Sequence, residues 1–261
     1  MLKKLSDPPK QLYYRGKWDQ ELFEKSLAIV GSRRITSYGE RALEMIVPGL
    51  VVENVTIISG FMYGVDTKAH RECLDCGGKT IAVLGGGLDV LYPPENEKLY
   101  SEIIEKNGLI LSEYEPKQQP QLWTFVQRNR IVAGLSTLGV LIIEAGEKSG
   151  SLVTAKIARK LGKPVFAIPG QITSSVSIGT NQLIKEGLAK MVLRASDIVG
   201  IPSVAPNHPT DKILDLLSAE PLTLDELAIK LGKNVIETGQ ILTMLSLKGE
   251  IEERGGKYYP K

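Results

Sequence analysis

The chain is poor in the residues that redox and metal chemistry need. Its 261 residues include only two cysteines and two histidines. The cysteines sit together in C-L-D-C, as Cys73 and Cys76. Tetrahedral zinc takes four ligands, so a site would need His70 and His208 as well, and no second C-x-x-C exists. We read the pair as reduced, partly buried thiols at the end of a helix, and expect neither a metal nor a cofactor. No apolar run approaches the roughly eighteen residues of a membrane span, and no charged-then-apolar signal segment opens the chain. A cytoplasmic protein is the expectation. Repeats and low-complexity tracts are lacking too. Net charge is only +2, but it is unevenly spread. From residue 209 onward seven Lys/Arg face nine Asp/Glu, against 25 and 21 before it. Any footprint on nucleic acid should therefore lie in the first part.

What is present is a strand–turn–helix rhythm. L-A-I-V-G (27–31), V-T-I-I-S-G (55–60), T-I-A-V-L-G-G-G (80–87), L-I-L-S-E-Y (109–114), L-G-V-L-I-I-E-A-G (138–146) and K-P-V-F-A-I-P-G (163–170) are short apolar runs, most ending in Gly or Ser. They do not alternate, as expected of strands buried on both faces. Helical patterns lie between them, which predicts an α/β fold with a doubly wound, mostly parallel sheet. Pro48 falls inside one helical pattern, and a break is expected there. Ligands of such sheets collect beyond the carboxyl ends of the strands, where Gly31-Ser32, Ser59-Gly60, Gly85 to Gly87, Gly146 to Ser151 and Pro169-Gly170 all fall.

Boundaries follow from composition. Residues 1–26 form a polar lead-in, 27–203 the large domain, 204–209 a Pro- and Asn-containing linker, and 210–261 a small second domain. In the latter, Thr223 with Glu226 makes a capping-box pattern, and Gly255-Gly256 marks a hairpin turn. Helix, helix-turn-helix and hairpin together spell a winged helix.

Three loop-to-helix junctions carry possible chemistry. In G-S-R-R, Gly31 to Arg34, a glycine lets the backbone approach an anion and two arginines add forked donors; surface ion pairing is the plain alternative. In F-V-Q-R-N-R, Phe125, Arg128, Asn129 and Arg130 stand beside Trp123, at the expected head of a helix. Cations there oppose the helix dipole and call for an anionic partner. Aromatics interleaved with cations suit single-stranded nucleic acid; the alternative is rings in the core and arginines paired to acids. Ser149-Gly150-Ser151 offers a second phosphate cradle. A serine nucleophile would need a base, and only His70 is at hand. Asp66 and Asp89 are expected to cap a helix or fix a loop.

Taken in order, V-G-S-R-R-I-T-S-Y-G-E, S-G-F-M-Y-G-V-D-T-K-A-H, L-G-G-G-L-D-V-L-Y-P-P-E-N, L-I-L-S-E-Y, Q-R-N-R-I-V-A-G-L-S, E-A-G-E-K-S-G-S-L-V-T-A-K-I-A and F-A-I-P-G followed by S-I-G-T-N-Q-L-I-K-E-G resemble the DprA/Smf family, bacterial DNA-processing proteins of natural transformation. The resemblance covers about residues 8 to 195. It implies an extended Rossmann-like domain that binds and protects single-stranded DNA, helps load the RecA recombinase, and forms a homodimer, without catalysis. Carried over by motif, the DNA site would comprise Gly31, Ser32, Arg33 and Arg34; Phe125, Arg128, Asn129 and Arg130; and Gly60, Gly64, Ser149, Gly150 and Ser151. The dimer region would be roughly Ser177 to Leu193.

The chain departs from the family pattern at Met62, where a small residue is usual, and at Val126, where proline is. Many relatives also begin with a further helical domain, whereas this chain starts at the Rossmann lead-in. Between Asn234 and Leu247 the would-be recognition helix has no Lys or Arg. Since counterion release by those residues dominates duplex affinity, protein contact suits the winged helix better. The rival function is a nucleotide phosphoribohydrolase of the LOG type. Its P-G-G-x-G-T-x-x-E signature is not matched by E-A-G-E-K-S-G-S-L-V-T-A.

Overall fold

The structure, a computed structural model, describes residues 2–200, 213–214, 216–218, 220–247 and 249–260. The chain divides into two compact units, Met1–Ile201 and Pro202–Lys261. Among the described residues no helix is long and apolar enough to cross a membrane.

The first unit holds eight strands in one sheet: β1 (Tyr13–Gly16), β2 (Ser26–Val30), β3 (Thr56–Ser59), β4 (Thr80–Val83), β5 (Leu109–Ser112), β6 (Gly139–Ile142), β7 (Val165–Ala167) and β8 (Lys190–Met191). Their order is β1-β5-β4-β3-β2-β6-β7-β8. Every pair is parallel except β1 with β5. The predicted doubly wound, Rossmann-like sheet is therefore present, with all six expected strands in it. β1 and β8 were not foreseen. The lead-in does not stand apart, because Tyr13 to Gly16 pairs along β5 and becomes the sheet's edge.

Burial on both faces explains why the strands lack alternation. Ala28, Val30, Ile58 and Val140 enter one core layer with Val132 and Ala155, while Leu27, Ile29, Ile57 and Leu141 enter the other with Leu43 and Ala69. Helices α5 (Leu122–Leu135) and α6 (Gly150–Lys160) cover the first face. Helices α2 (Ser37–Val52) and α3 (Val65–Asp75) cover the second. Each wholly buried Leu or Ile contributes about 1.5–3 kcal/mol.

The break expected at Pro48 does not occur: α2 runs through it to Val52. A helix-interior proline costs about 3 kcal/mol, but Leu43, Ile46, Val47 and Leu50 on the two sides of it are all buried against the sheet, and their burial outweighs that cost. The thiols are as expected, unbridged, with Cys73 buried and Cys76 exposed at the end of α3. Burial pushes the Cys73 thiol up to about 12.

Helix α5 is held at both ends. At its start the Gln121 amide donates to the Thr124 hydroxyl at 2.9 Å, and that hydroxyl donates to the Gln121 carbonyl at 2.8 Å. At its finish the Lys163 ammonium donates to the carbonyls of Ala133, Gly134 and Ser136 at 2.8, 2.7 and 2.5 Å.

In the second unit a helix Leu224–Leu231 begins at the predicted capping box, with the Thr223 hydroxyl accepting from the Glu226 amide and the Glu226 carboxylate accepting from the Thr223 amide. A helix Val235–Leu247 and an antiparallel hairpin of β9 (Ile251–Arg254) and β10 (Lys257–Pro260) follow. Ile213, Leu217, Leu227, Leu242 and Ile251 close its core. The expected linker at 204–209 lies outside the described residues.

Candidate functional site

Strand β2 is the topological switch point: β3, β4 and β5 follow to one side of it and β6, β7 and β8 to the other. The loops leaving the carboxyl ends of β2 and β6 therefore part company there, which is where open α/β sheets bind ligands. A cavity of about 600 Å³ opens at this point. Of the predicted residues it is lined by Gly31, Ser32, Arg33, Gly60, Phe125, Arg128, Asn129, Ser149, Gly150 and Ser151. Residues from four segments far apart in sequence are thus brought together. Arg34, Gly64 and Arg130 are not among the lining.

The first loop is shaped by its own serine. The Ser32 hydroxyl accepts from the Arg34 amide at 3.0 Å and donates to the Arg34 carbonyl at 2.9 Å. Glu144, buried at the end of β6, accepts hydrogen bonds from the amide and hydroxyl of Thr36, the N-cap of α2. Arg33 is exposed, and its guanidinium lies over the Phe125 ring, 5.4 Å from the centroid. Arg34 is exposed as well but is not part of the cavity lining.

The two arginines of R-N-R have different fates. Helix α5 begins at Leu122, not near Arg128 as expected, because Gln121 caps it. Both arginines consequently sit in mid-helix, where the dipole argument no longer applies. Residues i and i+2 point to opposite sides of a helix. Arg130 turns away to form a two-pronged pair with Glu113 at 2.8 and 2.6 Å, joined by Asp7. Arg128 points inward and is 2% exposed. Its guanidinium donates to the carbonyls of Gly60 and Val83, and its Nε to Asn129 Oδ1 at 3.3 Å.

Asp66 is buried beside it and accepts from the Met62 amide at 3.3 Å. Burial pushes the Asp66 carboxyl up, and the Arg128 charge opposes that rise. Burial in turn lowers Arg128 to about 10, Asp66 holding it up and Arg33 pressing it down. It stays charged at neutral pH. Gly60 lies between the two groups: a Cβ there would stand 2.6 Å from both the Arg128 guanidinium and the Asp66 carboxylate. Arg128 thus forms the cationic floor of the cavity, tied to the ends of β3 and β4.

Gly64, outside the lining, shapes the arginine loop. It has φ of +72, and a side chain would collide with the backbone of Ser32 and Arg33. The next amide, of Val65, donates to the Ser32 carbonyl at 3.1 Å. Gly64 therefore lets the β3–α3 loop clasp the arginine loop.

On the far wall α6 starts at Gly150. Its N-cap, Ser149, accepts from the Ser151 amide at 3.3 Å. Its N-terminal amides and positive dipole end meet the cavity where Ser149, Gly150 and Ser151 line it. Lys148 stands exposed just ahead of that end, in the lining. Sequence reading missed Lys148, although a lysine directly before an S-G-S helix start was a legible signal. Tyr63 is also in the lining; a lone tyrosine between two glycines carries no sequence signal of its own. Trp123, by contrast, is outside, its indole donating to Gln121 Oε1 at 2.6 Å.

The possible catalytic base is otherwise engaged. His70 is fully buried, with Nδ1 2.7 Å from the Thr80 hydroxyl, and burial lowers it to about 3. Asp89 pairs with Arg15 of β1. The site can therefore present two exposed cations, a fixed buried one and a helix N-terminus to an anion.

Comparisons with known proteins agree with this picture. The family model described as DNA recombination-mediator protein A matches residues 1–201, and that described as the DprA winged helix domain matches residues 202–257. The chain is 46% identical over 198 residues to the DNA processing protein DprA of Streptococcus pneumoniae, covering 76% of this chain and 68% of that one. It is 37% identical over 255 residues to a putative DNA processing protein DprA of Mycobacterium tuberculosis, covering 91% and 65%. The structure resembles that of the pneumococcal protein with a TM-score of 0.70 at 42% identity, over 78% of this chain and 70% of that one. A DNA processing protein A from Helicobacter pylori, described for its single-stranded DNA binding mode, aligns with a TM-score of 0.68 at 37% identity, over 76% and 89%. The chain spans about two thirds of the length of the first two relatives.

Proposed function

The chain belongs to the DprA/Smf family of DNA recombination-mediator proteins, and from that premise we propose that it binds single-stranded DNA in the cavity at the β2 switch point, without catalysis. The observation that carries this reading is the juxtaposition of Arg33 and Lys148, exposed on two different loops, with the N-terminus of α6 in one open cavity. Two exposed cations on opposite loops suit a phosphodiester chain that runs through the site. A nucleotide phosphoribohydrolase would instead carry the P-G-G-x-G-T-x-x-E signature, which E-A-G-E-K-S-G-S-L-V-T-A does not match.

On this reading the bound strand is shielded from nucleases and handed to RecA in the cytoplasm. The protein acts as a homodimer, for which the exposed apolar residues Ile178, Met191 and Leu193 in the Ser177–Leu193 region are suited. The winged-helix domain serves protein contact. Its helix Val235–Leu247 carries exposed Ile236 and Met244 and no cation to meet a phosphate.

The test is a titration of labelled oligothymidine at several salt concentrations. Tight binding that weakens steeply with salt, and weakens further in Arg33→Ala, is the expected result. Equal affinity of Arg33→Ala and the wild type refutes this cavity as the DNA site. Release of free base from nucleoside monophosphates would restore the phosphoribohydrolase reading.

A further inference from the structure

The lead-in concentrates charge of one sign. Residues 1–18 hold five Lys/Arg and one Asp, with Tyr13, Tyr14 and Trp18 among them. Two of these charges are engaged within the protein, Arg15 with Asp89 and Asp7 with Arg130. Lys10 and Lys17 are exposed and pair with no carboxylate among the described residues. The acids that follow are turned elsewhere. Asp19 accepts from the Glu21 amide at 3.1 Å, and Glu21 pairs with Lys79 at 3.5 Å. Glu24 is left as the one acid of that stretch without a partner among the described residues.

Strand β1 carries these groups away from the cavity. It runs antiparallel to β5, with Gly16 opposite Leu109, the first residue of β5. The chain after Gly16 therefore emerges at the amino ends of the parallel strands, the rim opposite the cavity. β1 is also four strands from β2, about 19 Å at ordinary strand spacing. Among the described residues its outer edge pairs with no strand.

Two aromatic rings are held at this edge. Trp18 packs on Phe23 with centroids 5.3 Å apart, and Phe23 is buried in the core layer covered by α5 and α6. Tyr14, opposite Leu111 of the same layer, meets Trp18 at 5.1 Å and 61°. Trp18 nevertheless remains 43% exposed and Tyr14 52%.

The chemistry of the edge selects its occupant. Lysines flanking an edge strand oppose pairing with another protein strand. Exposed rings between unpaired cations match a single-stranded nucleic acid, whose phosphates meet the charges while its bases stack. We propose that Tyr14 and Trp18, with Lys10 and Lys17, form a second contact for single-stranded nucleic acid on the β1 edge, reached only by a strand long enough to extend there from the cavity. This rests on the single-strand reading above and adds a second anchoring point to it. A strand held at two places binds more tightly than either contact alone allows.

The chain has two tryptophans, Trp18 and Trp123, so Trp123→Phe leaves Trp18 as the sole reporter. In that variant oligothymidine of about thirty nucleotides should quench Trp18 emission by stacking. An abasic strand of the same length, which carries the phosphates without the bases, should not. Trp18→Leu, which still covers Phe23, should weaken binding of the oligothymidine about five- to a hundredfold, and Trp18→Phe, which keeps a ring, should retain most of the affinity. The second contact is overturned if Trp18 emission is unchanged when the strand is bound, if the abasic strand quenches equally, or if Trp18→Leu binds as tightly as the wild type. A protein partner at this edge would give unchanged emission and unchanged affinity. In each of those outcomes binding at the cavity stands as long as Arg33→Ala weakens it. Failure of the wild type to bind oligothymidine at all overturns the single-strand reading and the second contact with it.

Discussion

Replacing Arg128 with methionine removes the buried cation while keeping an unbranched side chain of comparable reach. The guanidinium donates to the carbonyls of Gly60 and Val83 and faces the buried carboxyl of Asp66. Two carbonyls then lose charge-assisted donors, at about 1.5–3 kcal/mol each, and a buried carboxylate loses its compensating charge. Removing one member of a buried ionic arrangement typically costs about 3–5 kcal/mol. The added apolar burial returns about 1 kcal/mol, so a net loss of about 2–4 kcal/mol is expected, read from urea unfolding as a lowered midpoint of the first unit. The loss should also depend on pH. Asp66 is already raised by burial, and without Arg128 it rises further, so the folded state binds a proton that the unfolded state does not. Relative to wild type the variant is therefore least stable above the raised carboxyl value; it recovers as pH falls through that value toward the ordinary carboxylate range, below which the difference levels off. Asp66→Asn in the Arg128→Met background should recover part of the loss and abolish the pH dependence. A loss below about 1 kcal/mol that is also independent of pH would refute the account of Arg128 as the cavity's charged floor.

Two other substitutions bear on the site from different directions. Lys148→Ala should leave unfolding within about 0.5 kcal/mol of wild type and lower the slope of log affinity against log salt for oligothymidine by about 0.7, measured by fluorescence anisotropy. Gly64→Ala should do the reverse in character. Its side chain strikes the backbone of Ser32 and Arg33 at a φ of +72, so the arginine loop must move, with a stability loss of about 2–4 kcal/mol in urea unfolding and weaker binding at every salt concentration.

The sheet could be read from sequence because its central strands are buried on both faces and so appear as unbroken apolar runs. β1 and β8 escaped for the opposite reason: they are edges, short and largely exposed, and Tyr13 to Gly16 and Lys190-Met191 carry no such run. The loops of the site were legible because glycine and serine mark the carboxyl ends of the strands. Which side chains face the cavity was not, since that depends on helix phase. Arg128 and Arg130 stand two apart, and once the helix is known to begin at Leu122 only one of them can face inward. Gln121 is a weak cap signal beside Ser, Thr, Asp or Asn, so the sequence points to a later start than the one at Leu122. Pro48 misled through a local rule, which the burial of its neighbours overrode.

The fixing of α5 at both ends has a consequence for motion. A helix closed at its first turn by Gln121 and Thr124 and gripped at its last by Lys163 opens only when the surrounding core opens. Amides in the middle of α5 should therefore exchange with solvent on the slow timescale of global unfolding, whether or not ligand is bound. The exposed stretches beside it, Arg33-Arg34 and Glu147-Lys148, are where exchange should slow when ligand is bound. Binding would then leave α5 a stationary bar, with the entropic cost of recognition confined to a few residues and the helix contributing none of it.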